Sequence, residues 1–60
     1  MTLKELRKRA GKTQEEVALK MHVNQAAVSN WERGINRPLR KHHKKLAKLY
    51  GVTVEELLGK

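Results

Sequence analysis

Three times in this chain of 60 residues a threonine is followed three positions later by a glutamate: Thr2 and Glu5 in TLKE, Thr13 and Glu16 in TQEE, Thr53 and Glu56 in TVEE. The first backbone N–H groups of a helix have no intrahelical partner, and this pairing satisfies two of them reciprocally. Each threonine therefore marks a helix start. Helices are expected from Leu3 to Ala10, from Gln14 to Met21 and from Val54 to Leu58, with Gly11 and Gly59 as stops for the first and last. A further helix over about residues 25–33 has Asn24 as N-cap and Gly34 as terminator, and Val23 is placed to staple onto Val28. For the helix between, Pro38 suits a first-turn position, LAKLY supplies the apolar residues and Gly51 the stop, while the polar RKHHKK gives no clear start. No run shows strand alternation, and no linker or repeat divides the chain. The expected architecture is all-α: a single domain over residues 1–60, built of five helices joined by short loops.

So short a chain buries only about 60% of the surface its unfolded form exposes, which leaves a few kcal/mol of stability and little room for an enclosed catalytic cleft. With no cysteine, neither disulfides nor a cysteine zinc site can add to it. Packed helices must supply the stability. The start of the chain lacks the apolar run of a signal peptide and no stretch approaches the roughly 18 apolar residues of a membrane span, so a cytoplasmic, soluble protein is expected.

Fourteen Lys and Arg against six Asp and Glu give a formal charge of +8, which attracts polyanions. Seven basic side chains and no acid lie between Arg33 and Lys48, whereas Glu5, Glu15, Glu16, Glu55 and Glu56 fall in opening turns, where they oppose the positive helix end. Within this charged sequence the eight positions from Asn24 to Trp31 carry no charge. On a helix they separate into an apolar stripe of Ala27, Val28 and Trp31 and an outer face of Gln25, Ala26, Ser29 and Asn30. That outer face has the chemistry to read base edges in a major groove: amides for adenine, a hydroxyl for several bases, a methyl for thymine.

The helices at 14–21 and 25–33 are joined only by HVN, so they meet steeply, with Ala18 small at the crossing and Val23, Val28 and Trp31 as anchors. The run TQEEVALKMHVNQAAVSNWERG, followed by RP and LAKLYGVTVEELL, resembles the phage repressor and Cro type of helix-turn-helix protein, the lambda-repressor-like family, over nearly the whole chain. The resemblance implies that the helix at 25–33 lies in the major groove of duplex DNA while the helix at 14–21 spans the backbone above it. It implies base reading by Gln25, Ala26, Ser29 and Asn30. Phosphate contacts are implied for Gln14, Asn24, Asn36, Arg37 and Arg40, with Arg33 and Lys41 near enough to steer. It also implies a structural ion pair between Arg7, which falls on the apolar face of the first helix among Leu3, Leu6 and Ala10, and Glu32 of ERG. Two departures stand out. His22 occupies a turn position that the family often fills with glycine, and Arg40, His43 and Lys44 stand where it commonly has apolar residues, which points to a helix that starts late or packs loosely.

Trp31 and Tyr50 are read as core. His42 and His43 diverge by about 100° on a helix and have no further ligand cluster beside them, so no metal and no cofactor is expected. No nucleophile is paired with a base, and the carboxylates are taken by caps and the ion pair, so no enzyme is expected. The leading function is sequence-specific double-stranded DNA binding by a small transcriptional regulator, a repressor acting as a homodimer on a palindromic operator. The alternative is an antitoxin-like protein-interaction module on the same fold. A membrane-surface helix ranks third, because the basic residues are spread over several helices. Val52, Val54, Leu57 and Leu58 are the candidate apolar surface for a mate or a further domain.

Overall fold

A computed structural model of the chain describes residues 2–59. All three Thr–Glu pairs form as reciprocal caps: the Glu5, Glu16 and Glu56 amides donate to Thr2, Thr13 and Thr53 Oγ1 at 3.1, 3.1 and 3.0 Å, and each glutamate accepts the threonine N–H in return. The Thr2 N–H and hydroxyl hold the Glu5 carboxyl below its ordinary range. These caps start α1 (Leu3–Arg9), α2 (Gln14–Met21) and α5 (Val54–Leu57). The first and last helices end one residue short of the expected bounds, because Ala10 and Leu58 serve as C-caps.

The third helix, α3 (Gln25–Arg33), has the expected bounds, with Asn24 Oδ1 accepting from the Ala27 N–H at 2.9 Å. The fourth, α4 (Arg40–Tyr50), corrects the expected position of Pro38, which lies two residues before the first helical residue. Leu39 is its N-cap and makes no side-chain cap hydrogen bond. The polar RKHHKK is helical throughout. It survives there because only Leu46, Ala47 and Tyr50 of α4 need to be buried, and an amphipathic helix tolerates a charged outer face along its whole length.

The core consists of Leu6, Val17, Ala18, Met21, Val28, Leu46, Ala47, Tyr50 and Leu57, drawn from all five helices. The α2 helix packs on α3 and α4, α1 packs on α3 and α4, and α5 packs on α4. Val23 packs on this cluster as the staple requires. Trp31 lies against it without being buried, and its ring faces His42 with centroids 6.0 Å apart. Val52 and Val54 also pack on the cluster and Leu57 is buried, so of the four C-terminal residues considered for a mate only Leu58 is substantially exposed.

The α2–α3 connector turns at His22, which adopts the left-handed conformation at φ 58° and ψ 42° while its N–H bonds the Ala18 and Leu19 carbonyls. A residue with a Cβ meets a steric cost there that glycine does not. Among the described residues, no helix is long and apolar enough to cross a membrane.

Candidate nucleic-acid interface

The α3 helix is fixed from its inner side. Val28 is 1% exposed, and Ala27 and Trp31 are half-buried, so the opposite side is directed to solvent. Gln25 and Ala26 are exposed, and Ser29 and Asn30 are half-buried one turn later. At 100° per residue these four span an arc of about 140° on one side of the helix. None of their side chains has a hydrogen-bond partner within the described residues. They offer free donors, acceptors and a methyl group on a rigid element. Asn24 stands at the head of the same helix: its Oδ1 is committed to the cap, and its Nδ2 keeps both protons for an outside acceptor.

At the other end of α3 the chain turns back through Gly34 at φ 79°, and the Ile35 N–H reaches the Asn30 carbonyl at 3.0 Å, with the Asn36 N–H at 3.4 Å. The positive φ is what allows this 6→1 closure. The loop is thereby tied to the last turn of α3, and Asn36 and Arg37 leave it as exposed side chains. On its far side a ring nitrogen of His43, Nε2, lies 3.1 Å from the Pro38 carbonyl, so α4 grips the loop just before Arg40. Arg40 is exposed at the first position of α4. His42 and His43 thus face different partners, Trp31 and Pro38 respectively.

Behind this surface lies a polar network. Arg7 Nε donates to Glu32 Oε2 at 2.6 Å and Arg7 Nη2 to Oε1 at 3.3 Å, a two-point contact between side chains only 11% and 4% exposed. Arg7 Nη1 donates to the Lys12 carbonyl at 2.9 Å. The hydrogen bonds to Glu32 raise the Arg7 pKa, against the opposing effect of desolvation. Gln14, expected on a phosphate, has its Nε2 on Glu32 Oε1 at 3.0 Å, which occupies one of its two amide protons. Sequence reasoning missed this bond, although a signal for it exists. Gln14 stands at the head of the 14, 17, 18, 21 stripe whose other members, Val17, Ala18 and Met21, are buried, and a polar residue on such a stripe calls for an internal partner.

The network joins α1, the following loop, α2 and α3, and so sets where Gln14 and the end of α3 stand relative to each other. Among the described residues, no group of three or more His, Cys, Asp or Glu could hold a metal ion.

A model of the family described as Helix-turn-helix matches residues 3–57. The HTH-type transcriptional regulator ImmR of Bacillus subtilis is 43% identical over 58 residues, covering 97% of this chain and 46% of that protein. The HTH-type transcriptional activator BcrR of Enterococcus faecalis is 38% identical over 57 residues, covering 95% of this chain and 28% of that protein. The chain thus spans less than half the length of either of these relatives. No solved structure matches it.

Proposed function

From the premise that this chain belongs to the helix-turn-helix family, we propose that it binds double-stranded DNA sequence-specifically in transcriptional regulation, with α3 in the major groove and α2 across the backbone. The observation that carries the reading is the unpartnered face of Gln25, Ala26, Ser29 and Asn30 on a helix otherwise held against the core. Such neutral side chains discriminate between bases through directional hydrogen bonds and methyl contacts to base edges, whereas contacts to phosphate carry no sequence information directly. Of the two relatives, one is named as a transcriptional regulator and the other as a transcriptional activator.

Around that face, Asn24 Nδ2, the second amide proton of Gln14, and the side chains of Asn36, Arg37 and Arg40 are donors of the kind phosphate oxygens accept. The tie from Glu32 to Gln14 is compatible with this role, since it fixes the amide without exhausting it. Two copies on a two-fold site with half-sites about one helical turn apart complete the arrangement. Leu58, at the rim of a cleft of about 490 Å3 bounded by Leu3, Pro38 and Leu57, is the apolar surface on which the mate is placed. We read the regulation as repression by occupancy of the duplex, which requires no surface beyond the one that holds DNA. In a cell without a nucleus, genomic DNA as the ligand puts the site of action in the cytoplasm.

Selection of binding sites from random duplexes, followed by a salt titration on the selected site, tests the proposal. The expected results are a two-fold symmetric sequence and a log–log slope of about −0.9 per phosphate neutralised. Recovery of no sequence preference at low salt overturns it.

A further inference from the structure

A second cluster of cations lies away from α3. Lys12 from the loop after α1, Lys20 from the last turn of α2, and Lys45 and Lys48 from α4 line a shallow, largely open cleft of about 330 Å3 together with Leu49. Lys45 and Lys48 stand three positions apart, on the same side of their helix. None of the five residues belongs to α3 or to the set assigned above to bases and phosphates.

Two features make this more than a solvated surface. Among the described residues, none of the four lysine side chains has a hydrogen bond or ion pair, and no carboxylate lines the cleft. Glu16, one turn before Lys20 on α2, has its carboxylate turned to the Thr13 N–H. Like charges gathered round one depression repel one another, a cost that a ligand of opposite sign lowers. The cleft also has an apolar component, since Leu49 is half-buried and lysine stems are hydrocarbon up to the ammonium.

We propose that this cleft docks an acidic polypeptide segment carrying an apolar side chain, with carboxylates on the lysine rim and the apolar group against Leu49. Charge complementarity fixes the sign of the occupant, and the leucine distinguishes a peptide from nucleic acid. A duplex presents a convex, charged cylinder that touches lysine tips and leaves Leu49 without an apolar partner. Because the two surfaces share no residue, the domain can hold DNA on one and an acidic partner on the other at the same time.

The test uses the whole chain, isotope-labelled for amide chemical shifts, and a short fluorescein-labelled peptide of glutamates flanking a central leucine. Saturable binding is expected, with shifts at Lys12, Lys20, Lys45, Lys48 and Leu49 and none along Gln25 to Asn30. K45E/K48E, both at exposed positions, is expected to weaken the peptide about tenfold or more, and serine in place of the peptide's leucine about tenfold. R37A and Q25A are expected to leave peptide affinity unchanged. The proposal is overturned by absence of binding, by shifts on α3, by indifference to the peptide's leucine, or by displacement of the peptide from the cleft by duplex DNA. Mapping on the unaltered chain decides the matter even if the double variant misfolds. A failed search for a preferred duplex leaves the peptide result standing, since no residue assigned to DNA enters it.

Discussion

Arg7 and Glu32, 25 positions apart in sequence, meet with Nε and Oε2 2.6 Å apart in the part-buried space between α1 and α3. Neither is left with a single contact. The arginine also reaches the Lys12 carbonyl, and the carboxylate also accepts from Gln14. Breaking such a pair by truncating one member strands the other charge away from water, at a cost of about 3–5 kcal/mol. That is comparable to the whole stability of a domain this small. Glu32→Ala is therefore expected to unfold or nearly unfold the chain, read as loss of the cooperative thermal transition in circular dichroism. A variant melting within a few degrees of the parent would falsify the assignment.

His22 carries the only positive φ of any non-glycine residue described, at 58°. The left-handed region costs a residue with a Cβ about 1–2 kcal/mol, and glycine returns about 0.4–1 kcal/mol of that through its more flexible unfolded state. His22→Gly is expected to gain about 0.5–1 kcal/mol, raising Tm by several degrees. The side chain is exposed and enters no hydrogen bond within the described residues, so little is lost with it. A lower Tm would show that the ring makes an interaction that offsets the strain.

Burial pushes the Tyr50 phenol up to about 12, helped by the Glu32 carboxylate and opposed by Arg7. The folded pKa lies above the unfolded value of about 10, so the folded state holds the proton more tightly. This contribution is fully present below about pH 10 and is lost as pH rises through the folded value. Tyr50→Phe should flatten the fall in stability between about pH 10 and 12 relative to the parent, checked by denaturant titration at stepped pH. Parallel curves for the two proteins would contradict the assignment.

Gln25 and Asn30 lie on the unpartnered side of α3. If they read bases, alanine at either is expected to remove about 1–3 kcal/mol of discrimination at one position of the selected site. Repeating the site selection with Gln25→Ala checks this. An unchanged consensus removes that side chain from the reading.

Arg37, exposed in the loop that Gly34 folds back onto α3, is assigned to phosphate. Arg37→Ala is expected to weaken selected and unselected duplexes alike and to lower the magnitude of the salt slope by about one. A loss confined to the selected sequence would make it a base reader instead.

The helix starts and stops were legible because their signals act over a single turn. A threonine and a glutamate three residues apart find each other in any chain that enters a helix there, and the three boxes appear in the fold as the sequence implies. The division of α3 into a buried stripe and a free face was legible for the same reason, since the period of the helix sets it. The start of α4 was not: Leu39 caps it without a side-chain hydrogen bond, so the local sequence carries no mark. Tertiary structure alone decided that Gln14 turns one amide proton to Glu32 and that lysines from a loop and two helices line one cleft. Each of these joins residues whose separation depends on how rigid helices pack. A hydrogen bond or an ammonium cluster is sensitive to shifts of an ångström, and only the shared core sets distances that finely.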